Sequence, residues 1–395
     1  MIPRDLFDDV HDAFRDAFRS FVATEIVPHH DAWEEAGRVD RSMFAEAGAR
    51  GFLGMAVPEQ YGGPGQPDFR FNVVISEELQ RANVIGSGTC ITLHNDIVLP
   101  YLLNATNEEQ RRRWLPGMVT GEQMGAISMS EPGAGSDLAS IRTSARRDGD
   151  HYLVNGSKTF VTNGLNSDLL VVAVKTDPSL RHKGISLLVM EEPTPGLQRG
   201  RKLDKIGQRS QDTAELFFTD ARVPAANLLG TEGVGFALLM GNLVQERLSM
   251  AVNAIAGARA VLGWTLDYCR ARSAFGGPLT DLQFVRFEFA ELTTATEIGQ
   301  VYVDHLVSRL DRGEVTAEDA AKAKYWLTEL QQDVINRCLQ LHGGYGYMRE
   351  FPVARAFLDA RIQTIYGGTT QIMKEIIGRS VVRGERGERG ERARA

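Results

Sequence analysis

Cysteine is scarce in this sequence and forms no recognisable motif. Cys90, Cys269 and Cys338 are the only thiols among 395 residues, and no CxxC pair occurs. Such widely spaced cysteines are typical of buried, reduced thiols rather than of a disulfide framework or a metal site. We therefore expect no bound metal.

Excess positive charge and long apolar runs are also absent. The net charge is −7, with 44 basic against 51 acidic residues, which argues against a nucleic-acid partner. No apolar run approaches the roughly 20 residues of a membrane helix. The first residues, "MIPRDLFDDVHDAFRDAF", are acidic and amphipathic, unlike a secretory signal or a transit peptide. The sequence therefore predicts a soluble, cytoplasmic protein without a membrane partner.

What the sequence does contain is a helical, then β, then helical pattern, an α+β layout. With 395 residues and 43% hydrophobic composition, the chain is long enough for two or three domains. The predicted regions are an N-terminal helical domain (1–122), a central antiparallel β domain (123–235), a C-terminal helical domain (236–382) and a disordered tail (383–395) with the repeat "GERGERGER".

The helical regions are predicted from apolar residues that recur every three or four positions. The N-terminal region contains "FRDAFRSFVATEIVPHHDAW", "FRFNVVISEELQRAN" and "NEEQRRRWLPGMVTG", the last expected to stop at Pro116. In the C-terminal region, an apolar stripe comprises Leu248, Val252, Ile255 and Leu262. Two further helices follow, with capping-box spacing at Thr280 and Gln283 and at Thr316 and Asp319.

The central region shows short strand-like runs. "DLLVVAV", "GISLLVM" and "AELFF" have strand length, and no crossover helix fits between them. Asp148-Gly149 and Asn155-Gly156 are dipeptides favoured in hairpin turns. These features predict antiparallel pairing.

A glycine-rich stretch opens this central region: "AISMSEPGAGSDLASIRTSA", Ala126 to Ala145. Gly133 and Gly135 allow backbone N–H groups to turn inward, and Ser130, Ser136 and Thr143 add hydroxyl groups. Such a loop can bind phosphates or a polar ring edge, or can be only a tight connection. It is not a dinucleotide fingerprint, because no third glycine follows at the required step.

Three motifs in order resemble the acyl-CoA dehydrogenase family. They are "MSEPGAGSD", "LQLHGGYGYMREFPVARAFLDARI" and "IYGGTTQI", and the pattern is most similar to the long-chain and isovaleryl branches. The resemblance covers the chain to about Val382 and implies the family fold, with a C-terminal domain like a four-helix bundle. It also implies FAD, held between the β domain and the C-terminal helices.

The resemblance assigns cofactor contacts to residues of the central region. It implies that Ile127 to Ser136 line the flavin, with Ser136 also facing the thioester carrier. The members of this set are Ile127, Met129, Ser130, Gly135 and Ser136. Phe160 would lie against the flavin ring, where the family often has Trp, and the Thr162 hydroxyl near flavin N5.

Further contacts are implied across a subunit interface of a homotetramer. Arg272, Phe275 and Gln283 would reach the FAD pyrophosphate and adenine. The neighbour's flavin site would be completed by Gln340, Gly343, Gly344, Thr369 and Gln371. Taken without the resemblance, Arg272 is equally a helix-end cation and His342 a packed or capping histidine.

The catalytic base is the point at which this sequence departs from many family members. They carry a glutamate directly after the tyrosine of the last loop, whereas here Tyr366 is followed by Gly367. The long-chain and isovaleryl branches have their base on a helix, and "LVQERLSMA" offers Glu246 there. Gly367 keeps its backbone N–H, which the resemblance assigns to polarising the thioester carbonyl.

Other roles for these residues stay open. Glu246 could be an exposed helix carboxylate paired with Arg247, and Glu131 is a competing carboxylate that we expect to anchor its own loop. As a base, Glu246 is expected to have a pKa raised by burial. The expected substrate-binding residues are Ser136, Arg247, Tyr366 and Gly367.

The resemblance implies α,β-dehydrogenation of an acyl-CoA to a trans-2-enoyl-CoA in fatty-acid β-oxidation, with electrons passed to an electron-transferring flavoprotein. Two alternatives remain. The first is a dehydrogenase for carrier-protein-bound acyl groups or with oxygen as acceptor. The second is a flavin-binding protein without dehydrogenase activity. Gly88, Thr89 and Thr92 would permit a deep acyl pocket, but chain length is left undecided.

Overall fold

The computed structural model describes residues 2–392, and it describes side chains up to residue 382. The predicted disordered tail, residues 383–395, lies outside the described side chains and stays a prediction. The chain divides into two compact units. The sheet unit comprises Ala13–Ile75 and Val84–Asn242, and the C-terminal unit comprises Met1–Asp12, Ser76–Asn83 and Leu243–Ala395. The predicted domain boundaries at residues 122, 235 and 382 stay predictions.

Each region in which the apolar periodicity predicts a helix contains one, and the structure has further α-helices that the periodicity did not predict. Their bounds are α1 (Asp9–Phe21), α2 (His30–Ala36), α3 (Arg41–Ala49), α4 (Arg70–Arg81), α5 (Ile85–Thr92), α6 (Leu99–Ala105), α7 (Glu108–Thr120), α8 (Gly235–Ala271), α9 (Gln283–Leu310), α10 (Ala317–Leu341), α11 (Pro352–Ala360) and α12 (Thr370–Arg392).

Two predicted helix boundaries are wrong. Helix α7 continues through Pro116 to Thr120, because Trp114 and Met118 on either side of the proline are fully buried and their packing outweighs the lost backbone bond. Helix α9 begins at Gln283 after Leu282, with no side-chain cap, so Thr280 forms no capping box. The capping box of Thr316 with Asp319 is confirmed at the start of α10.

The sheet unit contains a seven-stranded sheet, and the C-terminal unit contains a two-stranded hairpin. The strands are β1 (Gly125–Ser128), β2 (Ser144–Asp148), β3 (His151–Thr162), β4 (Leu169–Lys175), β5 (Ile185–Glu191), β6 (Leu197–Lys202), β7 (Thr213–Pro224), β8 (Ser273–Ala274) and β9 (Gly277–Pro278). The order is β1-β4-β2-β3-β7-β6, with β5 paired to β4.

The large sheet is mixed, whereas the sequence predicted purely antiparallel pairing. Strand β1 runs parallel to β4, with Gly125 opposite Leu169, and β2 touches β4 in parallel at a single pair. Strand β4 is central and buried on both faces, so alternate residues such as Leu169 and Leu170 belong to two different hydrophobic clusters. The other pairings are antiparallel.

Only one of the two predicted hairpin dipeptides forms a turn. Asp148 and His151 pair across a tight connection in which Gly149 has a φ of 62°, as predicted. Asn155-Gly156 lies inside β3 at a register shift. Gly156 is required there because its φ is 144° and a Cβ would lie 2.6 Å from the Thr143 hydroxyl oxygen.

The C-terminal unit is built around four helices that share one apolar core. Its buried members come from α8, α9, α10 and α11 and include Val261, Leu292, Ile335 and Val353. This agrees with the expected bundle-like domain. In residues 2–392 no helix combines the length and apolarity needed to cross a membrane. The described residues also contain no group of three or more His, Cys, Asp or Glu side chains suited to a metal ion.

Candidate active site

The glycine-rich loop of the sheet unit follows β1 and is anchored by Glu131. Its backbone N–H donates to the Ala134 carbonyl at 2.8 Å, and the Ala134 N–H donates back at 3.1 Å. The Glu131 carboxylate accepts from the backbone N–H groups of Arg142 at 2.7 Å and Thr143 at 2.9 Å. Glu131 therefore holds the two ends of the loop together, the role expected for it.

A buried lysine completes this anchor. The Lys158 side chain is fully buried and donates to the Glu131 carboxylate at 2.8 Å and to the Met129 carbonyl at 2.9 Å. Burial lowers the pKa of Lys158 to about 8, although Glu131 opposes this shift. Burial alone would raise the pKa of Glu131, but Lys158 and the N–H donors hold it below its ordinary value.

The rest of the loop is open. Gly133, Gly135 and Ser136 are exposed, and a Cβ added at either glycine would have no neighbour within 4 Å. Ile127 is buried at the end of the sheet, while Met129 and Ser130 are half-buried. Of the predicted flavin-lining residues, Gly135 and Ser136 thus form an accessible backbone cradle together with Gly133, whereas Ile127 lies within the sheet.

Phe160 lies beside this cradle in a strained conformation. It falls in the register shift between Lys158 and Val161, has a φ of 58° and is 70% exposed. The preceding residue, Thr159, donates its N–H to the Ser130 carbonyl at 3.0 Å. A bulky residue with positive φ costs of order 1–3 kcal/mol and is concentrated at functional sites. An exposed aromatic ring next to an open glycine loop suits a planar cofactor, and Thr162 ends the same strand.

A second group of predicted cofactor residues lies in the C-terminal unit. Phe275 sits at the tip of the β8–β9 hairpin with a φ of 53° and is 95% exposed. The Arg272 guanidinium lies 5.7 Å from the centre of the Tyr345 ring. The neighbouring residues Gln283, Gln340, Gly343 and Gly344 are all exposed.

His342 is a packed histidine in this structure. It is 3% exposed and stacks on Tyr268 with ring centres 4.1 Å apart. Its Nε2 lies 3.2 Å from the Thr265 hydroxyl oxygen, and burial lowers its pKa. His342 is also the C-cap residue of α10, with its backbone N–H directed at carbonyls of the last turn, so both interpretations left open by the sequence apply to it.

Glu246 lies on α8 in the C-terminal unit and is buried, not exposed, with 2% of its surface accessible. The adjacent Arg247 is 6% exposed and donates from Nε to the Gly367 carbonyl at 3.2 Å. Burial lowers the pKa of Arg247, and the Glu246 carboxylate opposes that shift. Arg247 therefore links the part of α8 that carries Glu246 to the Gly367 loop within one unit.

The Gly367 loop requires glycine at its centre. Gly367 has a φ of 64° and Gly368 a φ of 108°. A Cβ on Gly367 would lie 2.4 Å from both Sδ and Cε of Met250, which lies one turn after Glu246 on α8. A glutamate at position 367 would therefore be strained and would displace Met250.

Polar contacts fix the residues on both sides of this loop. The Tyr366 hydroxyl donates to Gln363 at 2.9 Å, and Gln363 donates to Asn253 on α8 at 2.5 Å. Thr369 lies just before α12: its hydroxyl accepts the Ile372 N–H at 3.3 Å, while Gln371 is exposed. Tyr366 and Thr369 thus have structural contacts in addition to the roles expected for them.

Lys324 is a residue of this site that the sequence reasoning missed. It lies on α10, is fully buried and donates from Nζ to the Gly368 carbonyl at 2.6 Å. Burial and the Arg247 cation lower the pKa of Lys324 to about 8, and Glu329 opposes them. The available signal was its position between buried Ala320 and Leu327, which places a lysine on the apolar face of α10.

Within the C-terminal unit, the predicted cofactor residues around Arg272 lie far from Glu246. Helix α8 rises about 1.5 Å per residue, so Glu246 and Ala271, which precedes Arg272, are separated by roughly 38 Å. Arg272 and Phe275 therefore lie at one end of the helix and Glu246 near the other.

Comparison with known proteins gives one consistent family. Residues 8–122, 126–221 and 233–382 match the N-terminal, middle and C-terminal domains of acyl-CoA dehydrogenase. The mitochondrial long-chain specific acyl-CoA dehydrogenase of Sus scrofa is 45% identical over 96% of this chain and 88% of its own. An isovaleryl-CoA dehydrogenase of Pongo abelii is 36% identical over 86% of this chain and 80% of its own.

Solved structures agree with these relatives. The acyl-CoA dehydrogenase of Geobacillus kaustophilus is 48% identical, with a TM-score of 0.93 over 96% of this chain and 100% of that chain. A glutaryl-CoA dehydrogenase of Mycobacterium smegmatis in complex with FADH2 is 27% identical, with a TM-score of 0.88 over 95% of each chain.

The residues present fit such a flavin. The open cradle at Gly133 and Gly135 leaves space that side chains would fill, and the exposed ring of Phe160 stands beside it. The predicted family, fold class and cofactor are confirmed. This chain belongs to the acyl-CoA dehydrogenase family of FAD-dependent oxidoreductases.

Proposed function

We propose that the protein converts an acyl-CoA to its trans-2-enoyl-CoA, with Glu246 as the base. The observation that carries this proposal is the buried Glu246 carboxylate beside Arg247, which holds the Gly367 carbonyl. A general base must be positioned and partly desolvated to remove a weakly acidic α proton. FAD, when bound, supplies the acceptor for the hydride that leaves the β carbon.

The proposed roles of the residues of this chain are proton removal, polarisation of the thioester, and binding of the substrate and the flavin. Glu246 takes the proton from the α carbon, and the Gly367 N–H donates to the thioester carbonyl on which negative charge develops. Ser136, Tyr366 and Arg247 are proposed to contact or enclose the substrate. Phe160, Thr162 and the cradle from Ile127 to Ser136 orient the flavin.

The distance along α8 supports the proposed exchange of flavin contacts between subunits. Roughly 38 Å separates Glu246 from the end of the helix that carries Arg272, which exceeds the reach of any side chain. We propose that Arg272, Phe275 and Gln283, with the exposed residues of the Gly343 turn, serve the FAD of another copy in a homotetramer. Fatty-acid β-oxidation and electron transfer to an electron-transferring flavoprotein are proposed from the family resemblance. The cytoplasmic location is proposed from the acidic first residues, whereas the Sus scrofa relative is mitochondrial.

A second candidate is a flavoprotein without dehydrogenase activity, for which the missing glutamate at position 367 is the favouring observation. The burial of Glu246, next to the Arg247 that bonds to this loop, argues against it. A carrier-protein-bound acyl substrate remains the alternative for the chemistry itself.

The deciding experiment is anaerobic addition of acyl-CoA thioesters of graded chain length to the purified protein, followed by flavin absorbance. We expect bleaching by one chain-length class. Glu246→Gln should slow bleaching by about 10²–10⁴-fold with unchanged FAD content. Glu375→Gln, an exposed carboxylate on α12, is the matched control and should react like the parent. Equal rates for Glu246→Gln and the parent would refute the assignment of the base.

A further inference from the structure

We propose that Lys324 is a positioning residue for this reaction: with Arg247 it fixes two consecutive carbonyl groups of the last loop and thereby orients the Gly367 N–H. The inference rests on the proposed function of that N–H. It concerns only residues of the C-terminal unit, and Lys324 itself is not proposed to touch the substrate.

The geometry consists of two buried cations on two helices that approach the same short loop. Arg247, on α8, donates to the Gly367 carbonyl at 3.2 Å, and Lys324, on α10, donates to the Gly368 carbonyl at 2.6 Å. Both glycines have positive φ, so their own conformational preference does not hold the loop in one shape. These bonds fix the two peptide planes that follow Gly367, because each peptide unit is rigid. The Gly367 N–H lies in the preceding plane, between Tyr366 and Gly367, and the chain before that plane is held by the Tyr366 N–H, which donates to the Ile362 carbonyl at 3.2 Å.

Further contacts leave the loop little other freedom. Before it, Tyr366 is bonded to Gln363. After it, the Thr370 hydroxyl donates to Glu329 on α10 at 2.6 Å. Lys324 and Glu329 thus bind Gly368 and Thr370 from the same helix, so α10 acts as a template for the loop's exit.

Burial of the Lys324 charge carries an electrostatic cost, so a contribution to stability does not explain the presence of a lysine at this position. Lys324 is fully buried, and the nearby Arg247 carries the same charge. Burial and this repulsion lower the pKa of Lys324 to about 8. Replacing buried ionic groups together by apolar side chains of similar volume is often neutral or stabilising, so a buried charge is weak evidence for a contribution to stability. A methionine would fill the space at lower cost, so a retained lysine indicates a use for its charge and its hydrogen bond.

The use that fits the chemistry is support of a developing negative charge. Removal of the α proton moves electron density to the thioester oxygen. Prealigned donors at such an oxygen lower the barrier because no reorganisation is needed during reaction. A cation bonded to the carbonyl of the same loop both aligns the backbone and adds a favourable field in a water-poor environment.

The test compares Lys324→Met, Lys324→Arg and the control Lys322→Met. Lys322 lies on the same helix, is 43% exposed and pairs with Glu318. With saturating FAD, we expect Lys324→Met to reduce the rate of flavin bleaching by about 10- to 100-fold with KM changed less than about threefold. Lys324→Arg should recover part of the rate, and Lys322→Met should equal the parent.

Two readouts separate positioning from a merely structural role. The first is thermal unfolding, where Lys324→Met should melt at or above the parent temperature while its rate falls. The second is binding of a 3-oxoacyl-CoA, which can lose its acidic α proton but has no β hydrogen to give. Lys324→Met should raise the apparent pKa of this bound ligand by about one unit, which corresponds to about tenfold weaker stabilisation of the enolate.

The results for Lys324→Met can be told apart from a failure of the proposed dehydrogenase function. Parental kcat and an unchanged ligand pKa in Lys324→Met would overturn the inference while leaving the dehydrogenase assignment intact. A rate loss accompanied by a lower melting temperature and lost FAD would assign Lys324 a structural role and overturn it as well. If no acyl-CoA bleaches the parent, the proposed function fails and this inference fails with it.

Discussion

Substitution of Gly367 by alanine tests the shape of the loop most directly. Two costs add in the structure. A non-glycine residue at a φ of 64° costs about 1–2 kcal/mol. The added methyl group would also lie 2.4 Å from Sδ and Cε of Met250, so the methionine has to shift by about 1 Å or more to reach normal contact. Overpacking of this kind costs about 1–3 kcal/mol. We expect Gly367→Ala to lower the free energy of unfolding by about 2–5 kcal/mol.

The assay is urea unfolding followed by circular dichroism at one saturating FAD concentration, because flavin binding itself stabilises the folded state. A double-mutant cycle with Met250→Ala separates the two costs. In the Met250→Ala background the steric cost should vanish and leave about 1–2 kcal/mol, which gives a coupling energy of about 1–3 kcal/mol.

The matched control is Gly263→Ala, at an exposed position of α8 where a Cβ has no neighbour within 4 Å. It should raise the free energy of unfolding by about 0.5–1 kcal/mol, as alanine usually does within a helix. The reasoning is refuted if Gly367→Ala behaves like this control. If Gly367→Ala lowers the free energy of unfolding equally with and without the Met250 side chain, the steric contact with Met250 is refuted but the cost of the positive φ is not.

Two further predictions concern the glycine-rich loop of the sheet unit. Glu131→Gln leaves Lys158 buried without its anion and should lower the free energy of unfolding by about 3–5 kcal/mol at pH 7. The pKa of Glu131 is below its ordinary value of 4.5, so the stability that its charge contributes to the folded state is present above that value and is lost as pH falls through the folded-state pKa. The difference in urea midpoint between variant and parent should therefore shrink in acid. A difference independent of pH would contradict this. Phe160→Gly relieves a strained backbone φ and removes a side chain that is 70% exposed, so the unfolding midpoint without FAD should not fall. FAD affinity, measured by flavin fluorescence on dilution, should drop about tenfold because the ring is lost. Unchanged FAD affinity would show that the ring does not contact the cofactor.

Much of the fold could be predicted because its elements are long and locally encoded. The apolar stripe with Leu248 and Ile255 marks a helix of 37 residues, and the Thr316 cap marks the start of α10. Strand β4 was recognised from its apolar run. Its parallel partner β1 was not, because pairing of Gly125 with Leu169 depends on contacts 44 residues apart rather than on local composition.

Local signals failed where tertiary contacts outweighed them. Pro116 predicts the end of a helix, yet the burial of Trp114 and Met118 keeps α7 intact. Asn155-Gly156 predicts a turn, yet the approach of Thr143 makes the glycine a member of a β-bulge. In both cases the local preference is worth a few kcal/mol at most and competes with burial of several side chains.

The sequence by itself determined the family, the cofactor and the missing carboxylate at position 367, because these follow from residue types in a fixed order: "MSEPGAGSD", the Gly343 turn and Tyr366-Gly367. It also singled out Glu246 as a carboxylate that could replace the missing one. Neither its burial nor its neighbours could be known from its local pattern.

Only the tertiary structure decided how the last loop is held beside the helix that carries this carboxylate. Arg247 and Gly367 are 120 residues apart in the chain, and Lys324 and Gly368 are 44 apart. Their contacts exist because α8, α10 and the last loop close around one core, and only this closure removes water from Lys324 and directs its charge at a single carbonyl. A charged residue on a helix is usually solvated, so its function here depends on long-range packing that local sequence does not encode.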